Sequence, residues 1–283
     1  WARSGFVPYP LLMTELDQAP EPLPLEEFEL PMARHFPAMG QIFMRSGNGP
    51  DDTYALFATD GLTRSHRHYD ATHFTIYKQG FLALDTGPRR PSTAAPNAVN
   101  YYRQTIAHNC MLIKMPDEPS MIGRTPVHAG GQIDPLKCRT IAFETNPHYS
   151  YVASDATESY YAPKCEMMVR QFIFLPPDHF VVFDRVIATQ ADYAKTWLMH
   201  HANEPIFEGK TWHSDQDRGR LFCRTLLPED ATLESIGGPG KEFLVDGHNW
   251  EVDPQYLPDG QVPELMGRWR VEVKPGTART HDA

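Results

Sequence analysis

The chain has 283 residues, a net charge of −10, 41% hydrophobic residues and four cysteines. That length is enough for a large core, and all-β units of this size can form one domain. The acidic balance argues against a nucleic-acid binder, which would need a strong local basic patch, and no apolar run is long enough to span a bilayer. Cys110, Cys138, Cys165 and Cys223 have no metal-binding spacing. Four cysteines allow three pairings, which the sequence does not choose between, and four free buried thiols are the plain alternative.

Residues 1–40 are rich in acid and proline, with Pro8, Pro10, Pro20, Pro22, Pro24 and Pro31 interrupting any regular element. They read as an extended linker wrapped along a domain that begins at Gln41 and runs to 283. From there short β runs alternate with turn signals. Gln41–Arg45 and Tyr54–Thr59 flank Ser46-Gly47-Asn48-Gly49-Pro50, and a hairpin follows over Phe74–Asp85 around Gln79-Gly80. Residues 86–100 form a long polar loop, and loops of that length are more often functional than idle. Further strands are predicted at Cys110–Lys114, Thr140–Thr145, Tyr149–Ala153, Val169–Leu175, Phe180–Phe183, Lys195–His200, Arg220–Leu226, Glu242–Val245 and Arg268–Val273. No long helix and no internal repeat is evident. The spacing predicts an all-β fold, a large antiparallel two-sheet β-sandwich.

The chemistry concentrates in Ser65-His66-Arg67-His68-Tyr69-Asp70-Ala71-Thr72-His73-Phe74, in Asp85 at the end of the hairpin, and in Thr105-Ile106-Ala107-His108-Asn109. Imidazoles and a carboxylate are donors that zinc takes, with water completing a three-ligand set. His68, Asp85 and His108 are the candidate metal ligands, and His66 is left as a reactive group. A straight strand from His68 to Phe74 would span about 20 Å at ~3.3 Å per residue, too far for shared coordination with Asp85. Either the backbone folds back around Tyr69-Asp70-Ala71, or Asp85 is not a ligand. The plainer reading makes these histidines surface or hydrogen-bonded core groups. Asp70 is either an outer partner of a histidine or the cap of that turn. Tyr101 and Tyr102 are candidates for an acid or base, against the alternative that they fill a sheet face. The neighbourhood is locally basic, with Arg64, Arg67, Arg89, Arg90 and Arg103. Of these, Arg67, Arg89 and Arg90 are candidate anion-binding groups for an acidic substrate. His200 and His201 lie in a predicted strand, face opposite sides and read as structural.

Three separated segments, His66-Arg67-His68-Tyr69-Asp70, Gly80-Phe81-Leu82-Ala83-Leu84-Asp85-Thr86-Gly87 and Tyr102-Arg103-Gln104-Thr105-Ile106-Ala107-His108-Asn109, resemble in order the C-terminal β-domain of heparinase II/III-like polysaccharide lyases. Trp197–Pro205 and Gly267–Val273 fit as well, and the similarity runs from about Gln41 to the end. The resemblance implies β-elimination on a uronic-acid polysaccharide, such as a glycosaminoglycan or alginate. It also implies zinc (Zn2+) on His68, Asp85 and His108, and His66 as the catalytic group of this domain. Tyr102 is carried as a further catalytic candidate. The family places a tyrosine between the positions of Asp85 and Tyr101, where this chain has Arg89 and Arg90. The family joins this domain to an α/α-toroid that supplies other catalytic groups, so the chain reads as a fragment whose toroid partner is missing. Relatives are typically periplasmic or secreted, and these residues contain no signal-peptide pattern. Two other classes compete. His66-x-His68, His73 and Gly80 echo the first cupin motif, without a clean second one, and a non-catalytic carbohydrate-binding β-domain would need no site chemistry.

Overall fold

The computed structural model describes residues 30–59, 61–62, 67–87, 94–123, 125–127 and 129–283. Within Pro31–Ala283, a single packed unit, the regular structure is almost entirely antiparallel strand. The described helices are single short turns, Ala98–Tyr102 the longest of them.

Five strands open the fold as a meander in sequence order: β1 (Ala33–Phe36), β2 (Gln41–Arg45), β3 (Tyr54–Ala58), β4 (Phe74–Tyr77) and β5 (Phe81–Ala83). The first of these lies inside the stretch read as linker. Pro31 and Pro37 bracket a proline-free run, and Ala33–Phe36 keeps its amides free to pair along β2. Next come β6 (Met111–Lys114), the short β7 (Met121–Ile122) and β8 (Thr125–Pro126), then β9 (Arg139–Thr145) and β10 (Ser150–Asp155). The longest ladder joins β11 (Cys165–Leu175) to β12 (His179–Ala188). The chain continues through β13 (Ala194–His201), β14 (Ile206–Glu208), β15 (Thr211–Gln216), β16 (Gly219–Arg224) and β17 (Thr232–Gly237). It ends with β18 (Leu244–Val245), β19 (His248–Asn249), β20 (Trp269–Lys274) and β21 (His281–Asp282).

The second five-stranded sheet has the order β21-β12-β11-β10-β9, and a four-stranded sheet has the order β17-β20-β13-β6. A three-stranded sheet, β14-β15-β16, and two short ladders complete the set. The spacing predicts two large sheets, whereas the described strands divide further. The break after β5 has a visible cause. Pairing with β4 stops at Ala83, and the next residues turn to other partners: Leu84 N–H donates to His200 O, and Thr86 Oγ1 donates to Ala107 O.

Alternation builds the main core. On β2 and β3 every second residue is buried, and Ile42, Met44, Ala55 and Phe57 face the same way. They meet Phe172 and Phe174 of β11, Met199 of β13, Trp212 of β15 and Val271 of β20. Phe172 packs 5.6 Å from Phe57 and 5.1 Å from Phe74, centroid to centroid. Burying a side chain of that size contributes about 1.5–3 kcal/mol. The four-stranded sheet is covered on both sides. Met111 and Ile113 enter one cluster with Met168 and Val186, while Leu112 and Leu198 enter another with Tyr101 and Phe243. The segment carrying His108 therefore leads into a strand with no solvent-facing side, which fixes it firmly. All four cysteines are free thiols, and three of them are buried.

Candidate metal and catalytic site

The backbone does fold back between His68 and Phe74. His73 N–H donates to Asp70 O at 2.9 Å, closing a turn whose third residue, Thr72, has φ 71°. That region favours glycine or asparagine, and a β-branched residue stays there only when its surroundings impose it. Here they do. Tyr69 N–H donates to Arg103 O, and Thr105 Oγ1 donates to Tyr69 O. The Gln132 amide accepts from Ala71 N–H and donates to Ala71 O, mimicking a neighbouring strand. Thr72 N–H reaches Ala58 O, and His73 O accepts from Ala58 N–H. The N–H and C=O groups of Ala71 and His73, and the Thr72 N–H, thus each have a partner, as buried backbone requires.

Asn109 ties this turn to the hairpin. Its side-chain amide donates to Phe74 O at 2.7 Å and Leu84 O at 3.0 Å, and its Oδ1 accepts from His200 N–H. Its backbone N–H donates to His73 Nδ1 at 2.9 Å. Asp85 follows Leu84 directly, beyond the last pair of the hairpin ladder at Ala83. The connection is a bulged three-residue one, with Gln79 at φ 55°.

Five side chains converge as a result. His108 Nδ1 lies 2.8 Å from Asp85 Oδ1, and His73 Nε2 lies 3.8 Å from the same oxygen. The His68 ring centroid is 5.1 Å from that of His108. Two groups bring one donor atom from each member to within 4.8 Å of the others: His68, Asp70 and His108, and His73, Asp85 and His108. The expected trio His68, Asp85 and His108 spans both groups, with His108 common to them. His108 and His73 are buried, and the Nε2 of each lacks a hydrogen bond. The Asp85 side chain is 48% exposed and opens the cluster to solvent.

The electrostatics suit cation binding. Burial, aided by His108, lowers His68 to about 4, and burial lowers His73 to about 3 against the pull of Asp85. Both are neutral imidazoles at neutral pH, the state that ligates. Burial would depress His108 too, but Asp85 reverses the sign and holds it above its ordinary value. Burial pushes the Asp70 carboxyl up to about 6, with His108 opposing.

Tyr102 stands at the edge of the cluster, its ring T-shaped against His68 at 4.6 Å. The Arg67 guanidinium donates to Met39 O at 3.2 Å, at the rim. His66, Arg89 and Arg90 lie outside the described residues. His200 and His201 are buried on opposite faces of β13. His200 contacts Asn109 Oδ1 and Ile106 O, while His201 contacts Leu82 O and Trp212 Nε1. Both are buried and hydrogen-bonded within the fold.

The sequence model of the family described as Heparinase II/III-like, C-terminal matches residues 29–237. The chain belongs to that family. No curated protein is similar enough to match. Among solved structures, heparan sulfate lyase HepC from Pedobacter heparinus superposes with a TM-score of 0.61 at 18% identity, covering 88% of this chain and 35% of that one. The heparinase III that is the BT4657 gene product gives 0.60 at 15% identity, covering 89% and 34%. A further heparinase III gives 0.58 at 14% identity, covering 88% and 35%. At these identities the likeness establishes the fold. The chain spans about a third of the length of the heparinases it matches.

In this heparinase II/III-like domain, two supporting features escape a reading confined to motifs. Asn109 stands in a quoted motif, but nothing in its sequence position announces its hydrogen bonds to Phe74, Leu84, His73, His200 and Arg170. Arg170 has no local signal at all. It is fully buried, bound bidentately to Asp184 at 2.7 and 2.6 Å, and its Nη1 donates to Thr72 O and Asn109 O at 2.8 and 2.5 Å. Those carbonyls precede His73 and follow His108, so one guanidinium clamps both histidine-bearing segments. A third constraint is Gly87, at φ 101°, where an added Cβ would lie 2.1 Å from the Tyr102 ring. Gly87→Ala is expected to cost about 1–3 kcal/mol in urea unfolding. A loss below roughly 0.5 kcal/mol, the scale of a neutral surface change, would show that the ring yields freely.

Proposed function

We propose that this chain is the β-domain of a polysaccharide lyase that cleaves a uronic-acid-containing polymer by β-elimination, with a zinc-stabilised site. The observation that carries this reading is the convergence of His68, Asp85 and His108, with His73 and Asp70, in a member of the heparinase II/III-like family. The donor set fits the metal: the half-buried, neutral imidazole of His68, the buried His108 with an unpartnered Nε2, and the Asp85 carboxylate beside them. His68, Asp85 and His108 would hold zinc, which supplies a fixed positive charge that shapes the site. His66, two residues before His68, is assigned the proton transfer at the reacting sugar. Tyr102, against His68, is placed to assist or to wall the cleft. Arg67, Arg89 and Arg90 are assigned to the substrate's anionic groups, because the guanidinium fork matches carboxylate and sulfate geometry.

The finer architecture, a two-sheet sandwich completed by an α/α-toroid domain of the same polypeptide, and a periplasmic or secreted location belong to the same reading. Heparan sulfate lyase and heparinase III are what the similar solved structures are called, which favours a glycosaminoglycan among the candidate polymers. A soluble uronate polymer incubated with the protein joined to its toroid should develop the absorbance of an unsaturated product. The 283-residue chain alone should give little or none, because the family shares the catalytic groups between the domains. Robust turnover by the chain alone would refute that sharing, and no product from the joined protein on any uronate polymer would favour a carbohydrate-binding domain.

A further inference from the structure

His108 turns Nδ1–H to the Asp85 carboxylate at 2.8 Å, which leaves its Nε2 lone pair open. His73 is different. Its Nδ1 accepts the backbone N–H of Asn109 at 2.9 Å, so that nitrogen's lone pair is taken. A neutral imidazole carries one ring proton, which must then sit on Nε2. His73 is almost fully buried and the Asn109 amide is fixed in the backbone, so it keeps that tautomer. Its Nε2–H lies 3.8 Å from Asp85 Oδ1, an electrostatic contact, and has no hydrogen-bond partner among the described residues. Ligation through Nε2 would require losing this proton to give an imidazolate. The alternative is to turn the ring and leave the buried Asn109 amide without an acceptor.

We propose that His73 is a positioning residue that donates Nε2–H toward Asp85 from outside the coordination sphere, and that it is not a metal ligand despite its distance. The inference rests on the zinc reading of the preceding subsection. Its physical role is to hold Asp85, half exposed at the end of a short strand, at the angle that His68 and His108 require. Its hydrogen bond among the described residues is with His108 Nδ1, and His73 Nε2 stands 3.8 Å from the same oxygen. A second, permanently protonated donor restrains it in both states. Partners of this kind typically change metal affinity ten- to a hundred-fold when removed.

The test uses the 283-residue chain loaded with zinc alone. X-ray absorption should count two imidazole ligands in the unaltered protein and the same two in His73→Asn. The asparagine Oδ1 can still accept the Asn109 amide while the donor to Asp85 is lost. Zinc affinity in that variant should fall about ten- to a hundred-fold, with the melting temperature of the metal-free protein nearly unchanged. Three imidazoles in the unaltered protein overturn the proposal, whether or not any variant folds. Unchanged zinc affinity in a folded His73→Asn overturns it as well, leaving a structural role. Failure of the unaltered chain to bind zinc at all would refute the zinc reading itself, and with it this inference.

Discussion

Arg170→Leu should destabilise the domain by about 3–5 kcal/mol, the cost of breaking a buried ion pair by removing one partner. Arg170 is fully buried and Asp184 nearly so, and the pair is bidentate. The leucine would strand the Asp184 carboxylate in an apolar setting and would remove the donor shared by Thr72 O and Asn109 O. Because Thr72 sits at a φ that a β-branched residue adopts only under constraint, losing this contact also releases the turn that orients His73. Against a total stability of about 5–15 kcal/mol, the loss is large enough to see in any urea titration. Replacing both partners, Arg170→Met with Asp184→Leu, should recover part of the stability but not the zinc affinity, since the apolar pair fills space without gripping the two carbonyls. A single-variant loss under about 1 kcal/mol would mean that the clamp is relaxed in solution.

The second large effect separates ligand from catalyst. His108→Ala and His68→Ala should lose zinc, and with it the rise in melting temperature that zinc gives the unaltered protein. Metal bound only by the folded state adds RT ln(1 + [L]/Kd), about 2.7 kcal/mol at a hundredfold excess over Kd. His108→Ala also removes the 2.8 Å contact to Asp85 and should be the more damaging of the two. His66→Ala should keep zinc and stability while lowering elimination by the joined two-domain protein by about 10²–10⁴-fold, the usual contribution of a positioned acid or base. Loss of zinc from His66→Ala with retention in His68→Ala would exchange the two assignments. Retention in all three would put the metal elsewhere.

Zinc content, melting temperature and product absorbance are all needed, because each responds to a different link. Metal content reads the donor set, stability reads its coupling to the fold, and product reads the group that moves the proton.

The sequence by itself determined the class of structure and the chemical inventory. Period-two burial on Gln41–Arg45 and Tyr54–Ala58 is written in the alternation of their residues. The hairpin after Phe74 is local information, but its ladder ends at Ala83, and Asn109 holds Leu84, the residue before Asp85, against Phe74. Strand rise left two choices after His68, a fold-back or an Asp85 remote from it. The tertiary structure decided how that fold-back is held. A left-handed threonine at position 72 contradicts local preference, and it exists because Gln132, Arg170 and Ala58, all distant in sequence, hold the backbone groups around it. The division into several sheets was decided in the same way, where Leu84 and Thr86 leave β4 for partners on β13 and on the segment before β6. So was the place of His73, which reads locally as one more histidine in a run. Only the amide of Asn109, thirty-six residues on, fixes which of its nitrogens holds the proton. Hydrogen bonds of that range carry no periodic signature, because each depends on a single donor meeting a single acceptor across the fold.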